Sequence, residues 1–234
     1  MPLYSPALSL HIGSTQLTAQ IVAKLRFRIA MSLDGYTAGP EQSVQNPLGI
    51  GGERLHEWAF ALAAWRKPHG MKGGTVNEST PVMEDLLKNL GATIMGRHMF
   101  GGGDGPWDQN TPWNGWWGKN PPFHHPVFVL TRHPRPRLEL DGGTTFTFVT
   151  GGIRAAYDQA FSAARGKDVA LAGGADVARQ YLNAGLVDEM TLHLAPTLLG
   201  GGDRLFDGIT DLQGLKPVQT VAAADVTHLK FARR

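Results

Sequence analysis

Cysteine is absent from the 234 residues. That excludes disulfides and thiolate metal sites outright, and it suits a reducing cytoplasm. No apolar run approaches the length of a membrane span. The first two dozen residues lack the basic start and unbroken apolar core of a signal peptide, because His11, Ser14, Thr15 and Gln16 interrupt them. Excess charge of one sign is also missing: the formal net charge is +2 and the basic residues are scattered, so there is no electrostatic footprint for nucleic acid. Only 18% of residues are charged against 42% hydrophobic, which is globular composition and excludes general disorder. The expectation is a soluble cytoplasmic protein without a membrane or nucleic-acid partner.

Periodicity is weak over residues 1–22, which read as an extension adding little to the fold, and sharpens at Lys24. One domain over residues 23–234 is expected. Lys24 to Ser32 alternates as a strand does, with Leu25, Phe27, Ile29 and Met31 on one face and Arg26 and Arg28 on the other. A Gly/Pro/Asn-rich loop follows to Gly52. The spacing then predicts a helix over Glu53 to Trp65 and another from a Thr80 cap, with Pro81 at its first position, to Leu90. Short apolar strands are expected at 92–95, 126–130, 145–149, 168–172 and 189–196, helices at 153–164 and 176–183, and a closing hairpin at 217–222 and 226–231. Strands alternating with helices, then a hairpin, predict an α/β fold with a mostly parallel sheet and an antiparallel C-terminal edge. The aperiodic stretch Gly101 to His125, rich in Gly, Pro and Trp, reads as a binding loop or lid.

In such a sheet, ligands bind beyond the carboxyl ends of the strands. Those ends carry Ser32-Leu-Asp34, Gly96-Arg97, Thr131-Arg132 and Gly173-Gly174. A glycine pair between a strand and a helix starting at Ala175 and Asp176 lets a ligand touch backbone and lets an anion face the helix N-terminus. The other reading is a tight turn. Arg97 and Arg132 suit phosphate oxygens, or are surface arginines. Asp34 fits a substrate contact or proton relay, or an Asx turn with Gly35. Trp107, Trp113, Trp116 and Trp117 either stack on a planar heterocycle or staple their loop to the core or to another subunit. Other signatures fail. Gly91 to Gly96 has phosphate-loop spacing but is followed by Arg97-His98, His56-Glu57 lacks a second histidine at Phe60, and Gly49 to Gly52 has no preceding strand. His124-His125 has no carboxylate at ligand spacing, so no metal is expected.

Five stretches in order, Ser32-Leu-Asp-Gly-Tyr36, Ile94-Met-Gly-Arg97, Leu130-Thr-Arg132, Leu171-Ala-Gly-Gly174 and Pro196-Thr-Leu-Leu-Gly-Gly-Gly202, resemble the dihydrofolate reductase-like family that includes the reductase domain of riboflavin biosynthesis. The resemblance covers about residues 24–231. It implies a three-layer fold, NADPH as cofactor and a pterin- or pyrimidine-like heterocycle as hydride acceptor; a homodimer, with the tryptophan loop at the subunit contact, is a separate expectation. Carried over residue by residue, it places Gly96, Arg97, Thr131 and Arg132 around the adenosine 2′-phosphate. Gly173, Gly174, Ala175 and Asp176 fall at the pyrophosphate and nicotinamide, and Ala30 under the nicotinamide. Ser32, Asp34, Glu57, Trp117, Leu199, Gly200 and Gly201 fall on the substrate side. Asp34 is the candidate catalytic group, and Glu53 or Glu57 stands in for the helix carboxylate of dihydrofolate reductases. Tyr36 replaces the basic residue that riboflavin-pathway reductases carry there, and without cysteine the deaminase zinc site is missing. A non-catalytic nucleotide- or flavin-binding module of the same fold is the alternative.

Overall fold

Residues 22–233 are described by the structure, a computed structural model. The extension expected over residues 1–22 lies, all but its last residue, outside them. The strands are β1 (Leu25–Ser32), β2 (Tyr36–Ala38), β3 (Leu90–Gly96), β4 (Pro126–Leu130), β5 (Leu138–Glu139), β6 (Thr145–Val149), β7 (Asp168–Leu171), β8 (Glu189–Ala195), β9 (Asp203–Arg204), β10 (Lys216–Ala223) and β11 (Val226–Ala232). The α-helices are α1 (Glu57–Phe60), α2 (Ala63–Arg66), α3 (Ser79–Leu87), α4 (Arg97–Phe100), α5 (Gly152–Ala164) and α6 (Ala175–Asn183).

Nine strands form one sheet in the order β10-β11-β8-β1-β7-β3-β4-β6-β5. From β8 across to β6 every pairing is parallel, while β11, β10 and β5 run antiparallel at the edges. Parallel strands need crossovers, and α5 and α6 supply them with one face of the sheet as their floor. On that face Leu25, Phe27, Ile94, Phe128 and Leu171 meet Ala156, Ala160 and Ala164 of α5 and Val177, Tyr181 and Leu182 of α6. Each large apolar side chain sealed there contributes roughly 1.5–3 kcal/mol.

The opposite face is covered unevenly. Under β3, β4 and β6 an aromatic cluster of Phe100, Trp107, Phe146 and Phe148 packs on Met95, Val127 and Val129. Under β11, Trp58, Leu62 and Met83 from the segment around α1 to α3 pack on Val226. Between the two clusters the strands present Arg26, Arg28, Thr93, Asp168, Glu189, Thr191, His193, His228 and Lys230, a polar band that the apolar alternation of β1 only hints at.

The helix expected over Glu53 to Trp65 is broken. A 3₁₀ turn, α1 and α2 take its place, because Leu62 is extended at φ −76° and ψ 135°. There the chain bridges to Thr75, with Ala63 N–H donating to the Thr75 carbonyl at 2.9 Å and Thr75 N–H to the Ala61 carbonyl at 2.7 Å. Tertiary hydrogen bonds replace helical ones at that point. The next helix starts at Ser79, not at Pro81, with Asn77 Oδ1 accepting the Ser79 N–H at 2.9 Å. It stops at Leu87, where Lys88 becomes extended and Asn89 takes φ +57°. No helix among the described residues is long and apolar enough to cross a membrane.

Candidate active site

Parallel pairing brings the carboxyl ends of β1, β3, β4, β7 and β8 to one rim. Gly96 N–H donates to the Gly173 carbonyl at 2.7 Å, so the Gly-Arg and Gly-Gly stretches meet. Gly173 takes φ +111° and is joined to Gly174 by a cis peptide bond. A side chain on Gly174 would project into open space. The bare corner therefore faces an opening, with α6 starting directly behind it. Ala175 is sealed, so only its backbone N–H can meet a ligand, whereas Asp176 is exposed and its carboxylate accepts from Gln180 Nε2 at 2.8 Å. Gly96 departs from the expectation. A Cβ there would lie 2.8 Å from Val177 Cγ2, so this glycine admits α6 against β3 and its bare side does not face a ligand.

Arg97 opens α4 and is buried under Trp107, its guanidinium 3.0 Å from the ring centroid. Nη2 donates to the Gly102 carbonyl at 2.9 Å, while Nε and Nη1 are sealed without a partner. Burial lowers its pKa to about 10, with Asp104 opposing the shift. The residue lines a cavity of about 280 Å³ together with Gln42, Ser43, Gly101, Gly103 and Trp116. Arg132 is exposed and makes no hydrogen bond or ion pair among the described residues. The Thr131 hydroxyl closes a turn by accepting the His133 N–H at 3.1 Å.

Asp34 is not poised to give up a proton. Its carboxylate accepts Gly200 N–H at 2.7 Å and Leu199 N–H at 3.2 Å. The Ser32 hydroxyl foremost, with these two amides, holds its pKa down to about 2 against the opposing effect of desolvation. A carboxylate so held is ionised at neutral pH, so the catalytic role expected of it gives way to bracing the β8–β9 loop. Ser32 is fully buried with its hydroxyl accepting the Tyr36 N–H at 2.9 Å, which corrects its placement as a substrate contact. Glu57 and Glu53 are exposed, while Trp58 turns toward the sheet, so neither glutamate occupies the position of a helix carboxylate in the cleft. Ala30 is buried beneath Leu55 and Leu199, and a ligand reaches it when those side chains part.

The tryptophans staple their loop. Trp107, Trp113 and Trp116 donate to the carbonyls of His133, Phe100 and Met99 at 2.8, 2.8 and 3.0 Å. Trp117 packs against Phe123 and Phe146. Stacking on a substrate is therefore corrected for Trp117, while Trp116 alone of these four lines the Arg97 cavity. His124 and His125 turn to different partners, the Gly142 carbonyl and the Thr93 hydroxyl.

Comparison with known proteins decides the family at this point. The family described as RibD C-terminal domain matches residues 23–229. The chain belongs to the RibD C-terminal domain family. A putative riboflavin biosynthesis protein from Shewanella sp. PV-4 superposes with a TM-score of 0.52 at 20% identity, covering 90% of this chain and 99% of that one. RibD from Acinetobacter baumannii superposes with a TM-score of 0.53 at 18% identity over 91% of this chain and 58% of its own. The deaminase/reductase of Thermotoga maritima gives 0.51 at 12%, over 91% and 57%. These likenesses are of fold, and the chain spans little more than half of the last two proteins. The uncharacterized protein YyaP of Bacillus subtilis is 44% identical over 55 residues, 24% of this chain and 29% of YyaP. The resemblance drawn from five short stretches is thus borne out as membership of the RibD reductase-type family.

Residues that the sequence pattern left unassigned stand on the polar sheet face of this RibD-type domain. Arg26 is matched by Asp85, Asp168 and Glu189 at 2.9, 3.7 and 3.6 Å. Arg28, two residues on, has no ion pair among the described residues and donates to the Leu86 carbonyl at 3.0 Å. Burial, aided by Arg26, lowers its pKa to about 10. His193 and His228 are buried beside it. The available signal was a strand whose polar alternation continues across β8 and β11, since a merely solvated face needs no buried histidine.

Proposed function

We propose that the domain is an NADPH-dependent reductase acting on a planar pterin- or pyrimidine-like heterocycle. The observation that carries the reading is Arg97, a buried cation with two orphaned N–H groups beside a cavity. Asp104 across the cavity offsets part of the charge but leaves both N–H groups unmade, which is costly unless a ligand supplies acceptors, and a dinucleotide phosphate has the required chemistry. Family membership points to reductase chemistry, and the residues present fit the cofactor.

Arg97, with exposed Arg132, would hold the 2′-phosphate. The open Gly174 corner and the first N–H groups of α6 would hold the pyrophosphate. NADPH would supply a hydride. The chain's own work would be to orient the acceptor on the floor formed by Arg28, Ala30 and His193, and to exclude water with the loop that Asp34 braces.

Calorimetric titration with NADPH and NADH tests this. Tighter binding of NADPH is expected, and Arg97→Ala with Arg132→Ala should cost NADPH roughly 10- to 100-fold, the worth of one or two charge-assisted hydrogen bonds. An unchanged NADPH/NADH preference in that double variant would remove the phosphate assignment. Tight binding without turnover of any pterin, pyrimidine or flavin would favour the binding module instead.

A further inference from the structure

His193 on β8 and His228 on β11 face each other in register. Their Nδ1 atoms lie 2.7 Å apart. Neutral imidazoles at that separation share one hydrogen, one ring donating and the other accepting. Nε2 of His228 lies 2.9 Å from the Ser79 hydroxyl, and Trp58 packs on both rings at 4.8 and 4.9 Å.

That leaves Nε2 of His193, which makes no hydrogen bond among the described residues. The sealed, unpartnered side-chain nitrogens among those residues both belong to Arg97. Nε2 of His193 is therefore not fully sealed, although the residue is only 4% exposed. The register of β8 on β1 sets His193 beside Ala30. The carboxylates nearest to hand are taken: Asp34 is ionised and held by amides, and Glu57 points outward.

We propose that His193 is the proton donor to the bound heterocycle, presenting Nε2–H beside Ala30, with His228 and Ser79 as the positioning residues behind it. The inference rests on the reductase reading above, in which a reduced nicotinamide is the reductant. One hydride and one proton then add across a C=N bond. For the proton, the His193 Nε2–H bond breaks and a new N–H bond of the heterocycle forms. A neutral imidazole can do this without becoming an anion only if its Nδ1 gains a proton in the same event. His228 Nδ1–H supplies it, the Ser79 hydroxyl reprotonates His228 Nε2, and water from the groove of about 410 Å³ that His228 lines replaces the serine proton and leaves to solvent as hydroxide, which is the net uptake of one proton that the reduction requires. Water entering the cleft on product release returns the chain to its starting tautomers. Two histidines are needed where one would leave a charge.

The titratable and charged groups facing His193 are His228 on β11, Arg28 on β1 and His56 ahead of α1. Burial foremost, and then the neighbouring His228, Arg28 and His56, hold His193 well below the ordinary histidine range, so it works as a neutral imidazole at pH 7.

The experiment is a ¹⁵N–¹H correlation of the histidine rings in the full chain, free and saturated with NADP⁺, with calorimetry alongside. The expected result is His193 protonated at Nε2 and His228 at Nδ1, with the His193 Nε2 resonance moving on NADP⁺ addition. Ser79→Thr should keep that tautomer pattern and Ser79→Ala should lose it. A His193 protonated at Nδ1 in both states, or an unmoved Nε2 while calorimetry shows NADP⁺ bound, overturns the donor assignment. Failure of NADP⁺ to bind by calorimetry overturns the reductase reading itself. With a heterocycle that the wild type reduces, His193→Gln should lower kcat roughly 100-fold at unchanged NADPH affinity, and a loss under about threefold counts against the proposal.

Discussion

Asp34 shows how one carboxylate changes role once its surroundings are known. In sequence it is an acid at the mouth of a cleft; in space it is a brace, because the amides of Leu199 and Gly200 converge on it from the β8–β9 loop. Asp34→Asn is expected to lower the melting midpoint at neutral pH and to weaken amide protection at Leu199 and Gly200. The sign of the pH dependence follows from a depressed folded-state pKa. The contribution is fully present above the ordinary carboxylate value of 3.8 and is lost as the pH falls through about 2. Melting curves of wild type and variant should therefore converge over that acidic window and stay apart above it. A gap independent of pH would mean that the hydrogen bonds to ionised Asp34 are not its cause.

At the scale of elements, β3 and α6 pack closely because Gly96 presents no side chain to Val177. Gly96→Ala would place a methyl 2.8 Å from Val177 Cγ2. Overpacking of this kind costs about 1–3 kcal/mol, measurable as a lower denaturant midpoint. Val177→Ala alone should also destabilise, by leaving a gap, but the double variant is expected to recover most of the loss, and strictly additive losses would refute the contact. Gly173 differs in kind. Its φ of +111° suits glycine, so Gly173→Ala is expected to be strained whatever the packing, and no neighbouring substitution should rescue it. The broken helix around Leu62 belongs to the same scale, since apolar spacing that suits one helix also suits short pieces when Thr75 competes for the backbone hydrogen bonds.

For the whole molecule, the sheet ends on β10, whose outer edge has no pairing partner among the described residues. Lys216 is its only charge, at one end of eight residues. Edge strands usually carry charges or irregularities that discourage pairing, and here Lys216, Pro217 and a register shift between Pro217 and Gln219 do so at one end, which leaves Thr220 to Ala223 as the stretch open to a partner. The homodimer expectation is therefore tested best at this edge. Sedimentation equilibrium is expected to return a dimer, and Thr220→Pro, which removes an N–H from the edge, should shift it toward monomer while leaving NADPH affinity intact. A wild-type monomer at all concentrations would dismiss the dimer.

The order of the long strands with α5 and α6, the ends of β3, β4 and β7, and the family itself were legible in the amino-acid sequence, whereas β2, β5, β9 and α4 were not. They rest on local quantities: period-two and helical spacing, and glycine where a chain must turn. What the bare residues at 96 and 173–174 each face was not legible, nor that Arg97 is sealed, that Asp34 braces a loop, or that His193 meets His228. Those facts depend on residues between 5 and 166 positions apart, and only the register of the sheet, the antiparallel β8–β11 pairing included, with the rim loops and the packing of α6, brings them together. Chemistry at this rim is a property of which neighbours arrive, because burial and hydrogen bonding decide whether a carboxylate is an acid or a brace and whether a histidine is a surface residue or a proton donor.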